Sequence, residues 1–382
     1  MKKLILLYWG CVFLMYLSQA YYPAEPQHII RKLGERHFML RKSDIFMIIA
    51  IIWMTCFSFL RTQYNDTGNY IGGFLSAKSP VLFILEGKLL NFTGNPLYLF
   101  YECLARSITD NYHIFFLLPA YLSSIAIIKL FKCYSVNLSF SLLIFFSIGT
   151  YVMYVAALKQ CFSMFFLLIS IPYAEKKQYG RFYLLVFVAI LFHTHAFMFA
   201  IIPFLFEKPW GKTTWALLAL TVLSMATYRI TFGAFMAYAQ SIGALVDEGE
   251  LFDGHQINVL RVLVYWIPAM LALVFNRQLF TDSTRYERLF VNMSIVSAFI
   301  LSIGLVEGAN LYGRMAAYFE VATALALPWM IRKLFTQQSM RIVSIMAVLL
   351  YFTYFLYEFA VSKSFGSDYA AISLWQFIIE LV

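Results

Sequence analysis

Four short stretches of an otherwise greasy chain carry residues that chemistry needs. The first is Arg61-Thr62-Gln63-Tyr64-Asn65-Asp66-Thr67-Gly68-Asn69-Tyr70, directly after the apolar run Ile45 to Leu60. An arginine at that boundary suits a phosphate, which its planar fork grips with paired N–H donors. Asp66 suits removal of a proton from a hydroxyl, and Tyr70 offers a hydrogen bond to a sugar or phosphate. The second is Lys159-Gln160, which interrupts an apolar stretch from Leu142 to Ile171. A lysine facing a cavity binds an anionic group as a point charge. The third is His193-Thr194-His195, where His193 is a candidate proton shuttle or phosphate contact. Two histidines at i and i+2 do not share a helical face, so a paired metal site is not expected. The fourth is Arg314, with Tyr318 one turn later and Glu307 near enough in sequence to neutralise it. Each has a plainer reading: a cation snorkelling to water, a solvated aspartate, a histidine satisfying one buried hydrogen bond. Against those stands the cost of charge in hydrocarbon, which is greatest for an arginine one turn inside a span.

These residues have to be positioned by membrane helices. The chain is 62% hydrophobic and 13% charged, whereas soluble domains are about 25% charged. Its apolar runs approach the ~20 residues that cross a bilayer as a helix. Short alternating strands of a β-barrel are not what they look like. The expected architecture is all-α: a polytopic transmembrane helical bundle forming one integral-membrane domain over 1–382. Expected spans are 4–21, 44–60, 112–130, 137–156, 160–174, 213–229, 259–276, 289–306, 311–331 and 342–361. The net charge of +9 sits largely in short loops, as orientation in a membrane requires, and needs no nucleic acid to explain it. The five cysteines lack metal spacing and read as small buried hydrophobes. There is no Walker A, HExxH or CxxC pattern. No metal and no cofactor is expected. The first segment resembles a signal peptide in its Met-Lys-Lys start, but without a small-residue cleavage site it is read as a span.

Basic loops set the expected orientation. Arg31/Lys32/Arg36/Arg41/Lys42, Lys129/Lys132, Lys176/Lys177/Arg181, Lys208/Lys212, Arg277/Arg285/Arg288 and Arg332/Lys333/Arg341 are placed in the cytoplasm. Polar segments near 61–111 and 230–258 then lie outside, the latter acidic at Asp247, Glu248, Glu250 and Asp253. Residues 182–206 lie between two cytoplasmic loops, so a hairpin of two short helices is expected there, turning near His193. Asn95 to Ile108 reads as an amphipathic helix along the outer surface, with Pro96 in its first turn and Glu102 and Arg106 paired on its wet side. The tail 368–382, with Trp375, is a second amphipathic segment. Gly304 and Gly308 form a weak helix-packing signal.

In this order the residues resemble the EpsG family of bacterial polysaccharide-assembly membrane proteins, related in role to Wzy repeat-unit polymerases. The resemblance covers roughly residues 40 to 335. It rests on Arg61 with Asp66-Thr67-x-Asn69-Tyr70, on Pro96-Leu97-Tyr98, on Leu158-Lys159-Gln160 followed by Ala189-Ile190-Leu191-Phe192-His193, and on Gly313-Arg314 with Tyr318-Phe319. The family's usual Arg-Gln is Lys159-Gln160 here, and its frequent glutamate before the Pro-x-Tyr piece is Asn95. The resemblance implies a multi-pass protein of the bacterial cytoplasmic membrane, acting in exopolysaccharide or capsule biosynthesis. The implied activity is that of a glycosyltransferase that polymerises undecaprenyl-diphosphate-linked oligosaccharides on the outer face. Implied partners are that lipid-linked oligosaccharide, the lipid bilayer and other polysaccharide-assembly proteins. Asp66, His193 and Arg314 would be catalytic, and Arg61, Tyr70, Lys159, Gln160 and Tyr318 would bind substrate. A flippase of the same lipid-linked oligosaccharide, or another membrane transferase using acyl or polyprenyl-phosphate-sugar donors, are the alternatives.

Overall fold

The computed structural model describes residues 2–21, 44–228, 230, 255–362 and 368–381. The basic cluster Arg31 to Lys42 and the acidic residues 247–253 lie outside the described residues. The described chain is almost wholly helical and forms two compact units. One holds residues 1–173, 178–197 and 341–382, and the other holds 174–177 and 198–340.

The first unit begins with α1 (Lys2–Tyr21) and α2 (Asp44–Phe59), followed by the short strand β1 (Arg61–Gln63). Then come α3 (Thr67–Ser76), α4 (Pro80–Leu85), α5 (Pro96–Ile108) and α6 (Tyr112–Tyr134). Helices α7 (Leu138–Ser147) and α8 (Thr150–Ala156) are bent by 59° against each other, and α9 (Leu158–Glu175) and α10 (Tyr179–Phe192) follow. Side-chain ties fix how α2 and α6 run. His113 at the start of α6 bonds the Phe59 carbonyl at the end of α2, at 2.8 Å. At the far end Lys132 of α6 pairs with Asp44 at the start of α2. Helices α2 and α6 therefore run antiparallel.

The helices of the second unit are α11 (Lys212–Ala226), α12 (Val259–Val274), α13 (Asn276–Phe280), the central α14 (Arg285–Ile303), α15 (Ala309–Glu320) and α16 (Thr323–Leu334). Every residue from Leu289 to Ser302 is buried, the mark of a helix surrounded on all sides. Thr284 and Glu287 close a reciprocal capping box at its start. The expected 311–331 span is broken at Val321-Ala322 into α15 and α16. Gly304 and Gly308 do not form a helix-packing stripe, because they cap α14 and α15 at either end of the connecting turn. Gly308 has φ +75°, which a side chain would strain.

Back in the first unit, α17 (Gln337–Ala360), β2 (Ala370–Ala371) and α18 (Leu374–Leu381) complete the chain. Strand β2 pairs antiparallel with β1, Arg61 opposite Ala371. This small sheet was not expected from the tail's amphipathic pattern. On α17, Ile342, Ile345, Met346 and Leu349 form an exposed apolar stripe, a surface that suits lipid rather than water.

By length and composition, four helices among the described residues suffice to cross a membrane, or five if α7 and α8 are one bent span. Five further apolar helices are shorter. At 182–206 the chain breaks at His193, whose backbone is extended (φ −153°, ψ 115°). It continues as a 3-10 helix, Thr194–Phe206, instead of a second α-helix.

Candidate functional site

Arg61 is fully buried, the largest side chain to be so among the described residues. The end of α2 and the turn into α3 dictate its surroundings. Its Nη1 donates to the Ser58 carbonyl at 2.5 Å, and its Nε donates to the Thr67 hydroxyl at 3.1 Å. The guanidinium lies over the Phe116 ring, 4.1 Å from its centroid, a cation–π contact from α6. Yet Nη2 is buried with no hydrogen-bond partner, and among the described residues Arg61 makes no ion pair. Burial works against its charge, and what offsets that comes from Cys161, Tyr70, Tyr369 and Tyr98, none of them a carboxylate. A buried cation lacking a counter-charge is expensive. Such a group is completed by an anion that brings its own charge and acceptor oxygens.

Helix α5 supplies the next groups, and here an expectation is corrected. Glu102 does not lie on a wet face paired with Arg106; it is buried, and Arg106 pairs with Asp110. The face carrying Tyr98 and Glu102, four residues apart, packs inwards because Tyr98 joins an aromatic core with Tyr70, Phe74, Phe116 and Phe162. Desolvation raises the Glu102 carboxyl to about 7, opposed by the Tyr98 hydroxyl and the Lys159 ammonium. Tyr98 is wholly buried, and its hydroxyl makes no hydrogen bond of good geometry. The Lys159 ammonium stands over the Tyr98 ring at 5.3 Å, and the Tyr70 and Tyr98 rings meet edge to face at 6.0 Å. Gln160, beside Lys159 at the start of α9, is fully buried. Room for the Glu102 carboxylate comes from Gly73, where a Cβ would lie 3.0 Å from Oε1.

His193 enters the same unit through Asn95. The Thr194 N–H and hydroxyl both donate to Asn95 Oδ1, at 2.9 and 3.1 Å. Asn95 precedes α5 with a left-handed backbone (φ 53°), which asparagine tolerates, and Pro96 opens the helix. Its side chain caps no helical N–H and is given over to this tertiary bond. Phe192 stacks on Phe162 of α9 at 4.8 Å, and Ser163 donates to the Ala189 carbonyl. His193 is thereby fixed at the end of α10, buried, with the His195 ring 5.0 Å away. Asp66 is half-buried at the N-cap of α3 and makes no capping hydrogen bond. Arg61, Tyr70, Lys159, Gln160 and His193 thus belong to one unit and are joined through Tyr98 and Asn95.

Arg314 and Tyr318 belong to the second unit. Arg314 is half-buried and donates from Nε to Asn310 Oδ1 at 3.0 Å, while Tyr318 is fully buried on the same helical face. Sequence reasoning missed a buried ion pair in this unit, Arg261 with Glu320 at 3.3 Å. Arg261 lies inside an apolar run and Glu320 two residues past Tyr318; only their separation of 59 residues hid the pairing.

A helical chain with apolar segments of crossing length has the make-up of a membrane protein. Its sequence matches the EpsG family over residues 44–373, and the chain belongs to that family. No curated protein and no solved structure matches it. Family membership makes this a membrane protein of polysaccharide assembly.

Proposed function

We infer that this protein polymerises polysaccharide repeat units. It transfers a growing glycan from undecaprenyl diphosphate to a hydroxyl of a second lipid-linked unit, at the outer face of the bacterial cytoplasmic membrane. The observation that carries this reading is Arg61, buried with Nη2 unpartnered and no carboxylate to neutralise it. A leaving diphosphate concentrates negative charge as the glycosidic bond breaks, and a preorganised buried cation stabilises that charge most effectively. Lys159 and Tyr70 extend the polar lining toward phosphate or sugar, with Gln160 behind them. His193 and Asp66 are proton-handling groups of the same unit, and Arg314 and Tyr318 are a cation and a hydroxyl suited to the same substrate class within the second unit. Apolar outer faces such as that of α17 suit the polyprenyl tail.

The test is reconstitution in vesicles with radiolabelled lipid-linked repeat units. Chain lengthening is the expected result. Movement of label across the bilayer without bond formation would make the protein a flippase, and addition of one group only would make it a different transferase. Either outcome sinks the polymerase reading.

A further inference from the structure

Helix α5 buries a carboxylate that no sequence motif marked. Three neighbours shape its surroundings: Gly73 leaves space at Oε1, Tyr98 holds a buried hydroxyl beside it, and Lys159 brings a positive charge over the Tyr98 ring. Glu102 and Lys159 are close enough to feel each other's charge, but they form no ion pair. A carboxylate locked in a salt bridge is a poor proton acceptor; this one is not locked. Tyr98 is also within electrostatic reach of Arg61, so the carboxylate and the buried guanidinium flank the same tyrosine.

We propose that Glu102 takes the proton from the acceptor hydroxyl, and that Gly73, Tyr98 and Lys159 hold its carboxylate for that step. The inference rests on the polymerase reading. In a single displacement the acceptor oxygen bonds to the anomeric carbon, and its proton passes to a Glu102 oxygen. The bond from that carbon to the diphosphate oxygen breaks, and its electron pair leaves with the diphosphate. Glu102 ends neutral, and the charge appears on the diphosphate, where Arg61 stabilises it. Burial keeps the carboxyl near the pH at which it exchanges protons readily, about 7. The titratable groups facing it are Tyr98 and Cys103 on α5 and Lys159 on α9; Tyr70 on α3 and Tyr101 on α5 act on Tyr98, and Lys88, on the segment before α5, acts on Cys103.

The experiment compares wild type, Glu102→Gln and Glu102→Asp in vesicles, each checked for folding by thermal melting. Two readouts are taken: equilibrium binding of undecaprenyl diphosphate, and turnover of radiolabelled lipid-linked repeat units. Glu102→Gln is expected to lower turnover about 100-fold or more while binding stays within about threefold, and Glu102→Asp to recover part of the turnover. A folded Glu102→Gln protein that lengthens chains at the wild-type rate overturns the proposal and leaves the polymerase reading standing. A folded variant that loses binding and turnover together overturns it also, by making Glu102 a binding or packing group. Wild type that binds the diphosphate but never lengthens a chain overturns both readings at once.

Discussion

Arg61 shows how one residue can be both costly and retained. Its guanidinium is removed from water, fixed by Ser58 and Thr67, stacked on Phe116, and still short of a partner at Nη2. Replacing a buried charge by an apolar side chain of similar volume is often neutral or stabilising. Arg61→Met is therefore expected to melt no lower than wild type while undecaprenyl diphosphate binding falls at least about tenfold, as measured by melting and by a binding isotherm on the same preparation. A large loss of thermal stability would mean that Arg61 is a structural tie and not an anion site. Lys159 makes a softer contact. An ammonium over the Tyr98 ring carries charge but no fork, so it suits a phosphate less specifically than an arginine would.

At the scale of elements, the candidate site depends on close approach between α3 and α5. Gly73 on α3 lies against the Glu102 carboxylate, and a Cβ there would require the carboxylate to shift by a few tenths of an ångström. Gly73→Ala is expected to leave the protein folded, since the carboxylate is the far end of a flexible side chain, and to reduce chain lengthening about tenfold, because misplacement of a reacting group by a fraction of an ångström costs rate. Unchanged turnover in that variant would remove Gly73 from the account of Glu102. A second element-level feature is the return of the tail to Arg61. Ala371 pairs with Arg61 across the two-stranded sheet, and Tyr369 stacks on Phe57 at 4.2 Å and donates to its carbonyl. Lys3 reaches the Ala371 carbonyl, so the start of α1 meets the same end of the unit.

At the scale of the whole molecule, orientation decides whether a lipid-linked glycan can reach the site. Asn65 is exposed in the turn after β1 with a positive φ, and Asn310 is exposed in the first turn of α15. Single cysteines at these two positions, in a background without the five native ones, are expected to react with a membrane-impermeant thiol reagent added from outside to cells. Protection of Asn65→Cys from that reagent, with labelling only after permeabilisation, would put the site on the cytoplasmic side and end the polymerase argument.

Composition alone determined the class, because 62% hydrophobic residues in long runs have no stable place except within lipid or inside a helical core. Spacing and local chemistry also determined most helix limits: Asp44–Phe59, Pro96–Ile108 and Val259–Val274 fall close to their expected bounds. The break at His193 was legible from charge bias on either side. What the tertiary structure alone decided was which face of α5 turns inward. A period of 3.6 residues places Glu102 and Arg106 on one stripe, and an i,i+4 ion pair on a wet surface is the default reading of that stripe. Packing of Tyr98 and Ala105 against Phe74, Phe116 and Phe162 overrode it, burying Glu102 and sending Arg106 to Asp110. The pairing of residue 61 with residue 371, and of Arg261 with Glu320, escaped for the same physical reason. Local pattern fixes what a segment does with its neighbours in sequence, whereas contacts between distant segments form only when apolar faces compete for burial.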